Sequence, residues 1–214
     1  MKELKFIHIT KNAGHFIEEL GRKHGIEWGV YHKDSYITRG VDPSSFTIST
    51  QIHHIFCEKP EFIKAKYDWF LVVRNPYTRL LSEYYCRGGG VGKCKVNHDK
   101  HTFNKYLMKK ITNRYKFYPT KYGHYVEQYR YLDPAHTIHI IKYENMYNEL
   151  KSLFSNYNLD INLDNYIDQK IYSKESHRND ITFTINDFSP ILIKFINAIY
   201  DKDFQTFNYD KIVV

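Results

Sequence analysis

The sequence predicts an α/β fold in which helices cover both faces of a parallel sheet. Three observations carry that prediction. Short apolar runs of strand length, such as "WFLVV" at 69–73, alternate with longer segments whose apolar residues recur at helical spacing. Helix-start signals follow these runs directly, as expected when parallel strands are joined by crossover helices. Of the 214 residues, 42% are hydrophobic, enough for a sizeable core.

The elements follow in order. Residues 5–9 read as a buried strand. Phe16, Ile17 and Leu20 then mark the apolar face of a helix, with His15, Glu18, Glu19, Arg22 and Lys23 on its solvated side and Gly25 ending it. "FTIST" at 46–50 is expected to be a second strand, and Pro60 opens a short helix. The run at 69–73 is a third strand. Asn75 caps the next helix, with Pro76 at its first position and Tyr77, Leu80, Leu81, Tyr84 and Tyr85 inward. A helix at 101–115, a fourth strand at 136–143 and a helix at 146–154 come next. Residues 156–180 read as polar and irregular, and Ser189-Pro190 opens the final helix. One domain over residues 1–214 is expected.

The net charge of +7 favours anionic partners: a nucleotide, a nucleic acid or an acidic glycan. The aromatic content of 17% argues against disorder. Three cysteines without a C-x-x-C pair give no disulfide framework and no zinc site. His98 and His101 also lack a ligand set, so no metal is expected. With no signal peptide and no apolar run of membrane length, the chain as given reads as soluble. The expected compartment is the cytoplasm by default, or the Golgi lumen had an anchor been removed.

Two segments carry chemistry. "KFIHITKNAGHFIEEL" at 5–20 runs from a strand through a turn with Lys11 and Gly14 into a helix. Such a turn presents backbone N–H groups and the positive end of the helix dipole to an anion. Gly14 would let a ligand approach closely, and Lys11 adds a mobile charge. From this turn alone, an ordinary strand-to-helix turn with an exposed lysine is an equal reading. The Walker pattern is absent there. "RGGGVGKC" at 87–94 only imitates it, with glycines one residue too close and a cysteine in place of the magnesium-binding hydroxyl. "FLVVRNPYTRLLSEYY" at 70–85 repeats the strand–turn–helix logic, with Arg74 and Ser82 suited to a phosphate. Arg79 reads as a structural ion-pair partner.

These segments resemble the two phosphate motifs of sulfotransferases that use 3′-phosphoadenosine 5′-phosphosulfate (PAPS). "FIHITKNAG" is similar to the 5′-phosphosulfate loop, and "VVRNPYTRLLSEYY" to the 3′-phosphate motif. "IHIIKYENMYNELKSLF" and "IYDKDFQTFNYDKI" resemble later segments of the carbohydrate type, which includes the heparan and chondroitin enzymes. The resemblance implies a P-loop-NTPase-like sheet. It implies that Lys11 and the backbone of Asn12, Ala13, Gly14, His15 and Phe16 hold the 5′-phosphosulfate, and that Arg74 and Ser82 hold the 3′-phosphate. The family usually has Thr-Ser where this chain has His15-Phe16, and proline where it has Thr10.

Transfer of a sulfuryl group to a hydroxyl needs a base and a cation on the leaving phosphate, and no metal. In "STQIHHIFCEKP", His54 fits the family's histidine context best and His53 is its neighbour. Glu18 and Glu19 are rival bases, and His124 and Gln128 are expected at the acceptor cleft. The expected reaction is sulfuryl transfer from PAPS to a hydroxyl, above all of a carbohydrate, with Lys11 and His54 as catalytic groups. A nucleotide kinase of the same fold and a non-catalytic nucleotide or acidic-glycan binding module are the alternatives. Nucleic-acid binding ranks last, because no motif for it accompanies the charge.

Overall fold

The computed structural model describes residues 2–28, 61–86, 90–92, 98–116, 124–164 and 183–214. The segment 46–50, expected as a strand, lies outside these residues, as do His53, His54 and most of 156–180.

Three strands, β1 (Leu4–Ile7), β2 (Asp68–Val73) and β3 (Ile138–Lys142), form a parallel sheet in the order β1-β2-β3. Phe6 pairs with Phe70, and Leu71 with Ile140. From Trp69 to Val73, β2 is buried throughout. That explains its unbroken apolar run: a central strand of a covered parallel sheet meets core on both faces.

Successive side chains point to opposite faces. Leu4, Phe6, Phe70, Val72 and Ile141 meet helix α1 (Gly14–Lys23) and the later helix Met146–Asn156 on one face. Ile7, Trp69, Leu71 and Val73 meet Val126, Tyr131 and Phe207 on the other. Phe70 is fully buried against Trp28 and Phe154. Truncating it to alanine would cost about 3–5 kcal/mol.

The remaining α-helices among the described residues are, in chain order, α2 (Glu61–Lys66), α3 (Pro76–Tyr84), α4 (Lys100–Thr112), α5 (Met146–Asn156), α6 (Pro190–Ile199) and α7 (Asp201–Phe207). A third cluster joins Tyr77, Leu80 and Tyr84 of α3 to Phe103 and Leu107 of α4 and Leu192 and Ile196 of α6. The α3 cap is as expected: Asn75 accepts from the Tyr77 N–H at 3.0 Å, with Pro76 next in the chain. Gly25 ends α1 at φ 69°, a conformation that suits glycine. Two expectations are corrected. The expected last helix stops at Ile199, and α7 follows after Tyr200 turns the chain. Glu18, assigned to the solvated face of α1, is buried. No helix among the described residues is long and apolar enough to cross a membrane.

Candidate active site

Parallel pairing brings the carboxyl ends of β1, β2 and β3 to one rim, where open α/β sheets bind ligands. Lys11 and Ala13 of the first turn both have φ 61°, in the left-handed region that non-glycine residues seldom adopt. That conformation costs about 1–2 kcal/mol per residue. Among the described residues no side chain caps α1, and no acidic residue stands in its first turn. The dipole end is therefore suited to an outside anion.

Gly14 also has a steric reason: a Cβ there would lie 2.1 Å from Nε2 of His8. Nδ1 of His8 lies 3.0 Å from the buried Glu18 carboxylate, which orients the ring. Glu18 is thus buried and engaged by His8, not on a solvated face. Glu19 is bound by Arg22, whose hydrogen bond lowers the carboxyl's pKa and makes it a poorer proton acceptor. Asn12 is buried, and its amide donates to the Val72 carbonyl at 2.7 Å and to Gln128 Oε1 at 2.6 Å. Phe16 is buried in the core, whereas His15 is exposed. Phe16 can therefore offer an anion only its backbone.

The second turn stands beside the first. Arg74 Nη1 donates to the Lys11 carbonyl at 3.3 Å, and Nε donates to Thr78 Oγ1 at 3.1 Å. The guanidinium carbon lies 4.2 Å from the centre of the Tyr143 ring, at the end of β3. Burial lowers the Arg74 pKa, opposed by Tyr143 and Glu144, but an arginine stays charged. Glu144 accepts from the Asn75 N–H at 2.9 Å and from the Tyr209 hydroxyl at 2.8 Å. Ser82 is half-buried further along α3.

The sequence reading missed Glu83. Its buried carboxylate accepts from the Thr10 hydroxyl at 2.5 Å and lies 2.6 Å from His124 Nδ1. Arg79, read as structural, is buried and donates to Thr10 O, Thr10 Oγ1 and Val126 O. Burial pushes the Glu83 carboxyl up. The charge and hydrogen bond of His124, with Arg79 and Thr10, outweigh it and hold the pKa down at about 2. Thr10 thus ties the first turn to α3 through a hydroxyl that proline would lack. The i,i+4 spacing of Arg79 and Glu83 was the available signal.

Glu83, Cys86 and His124 place ligand atoms within 4.8 Å of one another, the one such group among the described residues. The Glu83–His124 hydrogen bond occupies two of its members, and the Arg79 guanidinium lies 4.0 Å from the carboxylate. Gln128, expected to line a cleft, is fully buried beneath the rim. His53 and His54 lie outside the described residues.

Fold and site define a class: an α/β protein with two helix-entering turns side by side at the carboxyl rim of a parallel sheet. A family model described as the sulfotransferase family matches residues 44–210. The chain belongs to the sulfotransferase family. The match includes the Arg74 turn and begins after the Lys11 turn. No curated protein and no solved structure matches the chain.

Proposed function

We propose that the protein transfers a sulfuryl group from PAPS to a hydroxyl of a carbohydrate acceptor. The observation that carries this reading is the meeting of the two turns: Arg74 reaches the Lys11 carbonyl across the rim. One nucleotide with phosphates at both ends of its ribose would span such a pair of sites. Family membership supports sulfuryl transfer; the donor, the acceptor and the residue roles are our reading.

In this mechanism the acceptor oxygen attacks sulfur in line with the 5′-phosphate oxygen. The S–O bond to that phosphate breaks as the new S–O bond forms. His54, with His53 as its neighbour, takes the acceptor proton. Lys11 and the backbone N–H groups of Asn12, Ala13, Gly14, His15 and Phe16 meet the charge growing on the leaving phosphate, as preorganised donors do. Arg74 and Ser82 hold the 3′-phosphate, and adenosine 3′,5′-bisphosphate leaves. No step calls for a metal. Residues 1–214 act in this reading as one catalytic domain.

Product analysis tests the reading. Incubation with PAPS and a panel of glycans should yield sulfate ester and bisphosphate in equal amounts. Bisphosphate binding without any ester would leave a non-catalytic binding module.

A further inference from the structure

Resting on the reading of the two turns as phosphate sites, we propose that Gln128 is a positioning residue that couples the two ends of the nucleotide site. Gln128 opens a short 3-10 turn (Gln128–Tyr131) and is fully buried. Its side-chain oxygen accepts from the Arg74 N–H at 2.9 Å, and its amide nitrogen donates to the Arg74 carbonyl at 2.8 Å. Gln128 therefore holds both backbone groups of Arg74, as a neighbouring strand would. The same oxygen accepts from the Asn12 amide at 2.6 Å.

The orientation is forced. A backbone N–H can only donate and a carbonyl can only accept, so the Gln128 amide fits Arg74 one way round. Asn12 must then turn its nitrogen towards both Gln128 and Val72. Its oxygen is left buried without a hydrogen-bond partner among the described residues. Such an orphan is costly, as expected where a residue is held by a demand other than its own satisfaction.

Gln128 is itself anchored. Asp203 on α7 accepts from the Gln128 N–H at 2.9 Å and from the Tyr129 N–H at 2.8 Å. Arg74 Nη1 on the Lys11 carbonyl closes the ring, so that Lys11, Asn12, Gln128 and Arg74 form one cycle. Neither turn can shift without straining the other. Gln128 touches no ligand in this scheme; it acts through the two turns, and its removal should weaken both phosphate contacts together.

Gln128→Met keeps the length and removes the polar atoms. Adenosine 5′-phosphate and adenosine 3′-phosphate each probe one turn. The variant should bind both about tenfold more weakly, the scale of lost buried hydrogen bonds. Backbone amide exchange should rise at 11–16 and at 74, 75, 77 and 78 together, with β1 and α5 unchanged. Ser82→Ala, which lies outside the cycle, should weaken the 3′-phosphate alone. Loss confined to one monophosphate in Gln128→Met, or faster exchange throughout the chain, would overturn the coupling. Should that variant not fold, Asn12→Ala cuts the same cycle from the other side. It should lower 3′-phosphate affinity severalfold, and no change there would overturn the proposal. If wild type binds neither monophosphate, the donor reading falls. The exchange measurement then decides the coupling alone: a joint rise at the two turns upholds it, and a rise at one overturns it.

Discussion

Arg74 and Lys11 are 63 positions apart in the chain, yet the Arg74 side chain donates to the Lys11 carbonyl at 3.3 Å. Parallel pairing of β1 with β2 makes this contact possible, because it sets both strand ends on one rim. If the pair bounds one nucleotide site, adenosine 3′,5′-bisphosphate should raise the melting temperature well above the shift given by ATP, which has no 3′-phosphate. Arg74→Ala should erase that difference in a thermal-shift assay. Equal shifts from the two nucleotides in wild type would sink the assignment.

The His8 ring gives Gly14 a steric reason that can be tested separately. Gly14→Ala would drive a methyl into the ring and should lower stability by about 1–3 kcal/mol, the usual cost of overpacking. In a His8→Ala background, Gly14→Ala should cost much less than it does in wild type. Denaturant unfolding reads the cycle. An additive double variant would mean that the ring does not govern position 14.

Strand β2 was legible because both of its faces are buried, so its apolar run stood out from alternating sequence. The Asn75-Pro76 cap was legible because it is local chemistry. The two turns could be read for the same reason. The ties between them could not. Glu83 looks like any helix carboxylate until pairing sets it against Thr10, 73 positions away. Gln128 looked like a cleft residue, and its burial follows from Asp203 and Arg74, neither near it in sequence. Glu18 was misplaced because helical spacing shows which face a residue is on, not that His8 waits there to receive it.

Glu83 gives an acid limb to stability. Its carboxyl is held at about 2 in the fold, against 4.5 ordinarily. The folded state therefore binds fewer protons than the unfolded state between these values. Stability from this group is present above pH 4.5 and is lost as pH falls towards 2. Glu83→Gln should lower stability at neutral pH by about 3 kcal/mol and flatten its slope below pH 4.5. Melting temperatures of both proteins from pH 7 to pH 3 check this; parallel curves would contradict it.

The base prediction rests on the histidine pair. His54→Ala should lower kcat by about a hundredfold or more while bisphosphate affinity stays near wild type. The acidic limb of the pH–rate profile should vanish with it. His53→Ala should matter less. A severe His53→Ala and a mild His54→Ala would exchange the two roles, and two mild variants would remove the pair from the chemistry.

The most direct measurement offers the protein two labelled donors at once, in the presence of a chelator: PAPS labelled in its sulfate and ATP labelled in its γ-phosphate. A panel of glycans serves as acceptor. The account predicts that sulfate label moves to an acceptor hydroxyl, that phosphate label does not, and that Lys11→Ala abolishes the movement. Transfer of the phosphate label, or transfer that stops in chelator and returns with magnesium, would contradict it. So would bisphosphate binding with no label moved.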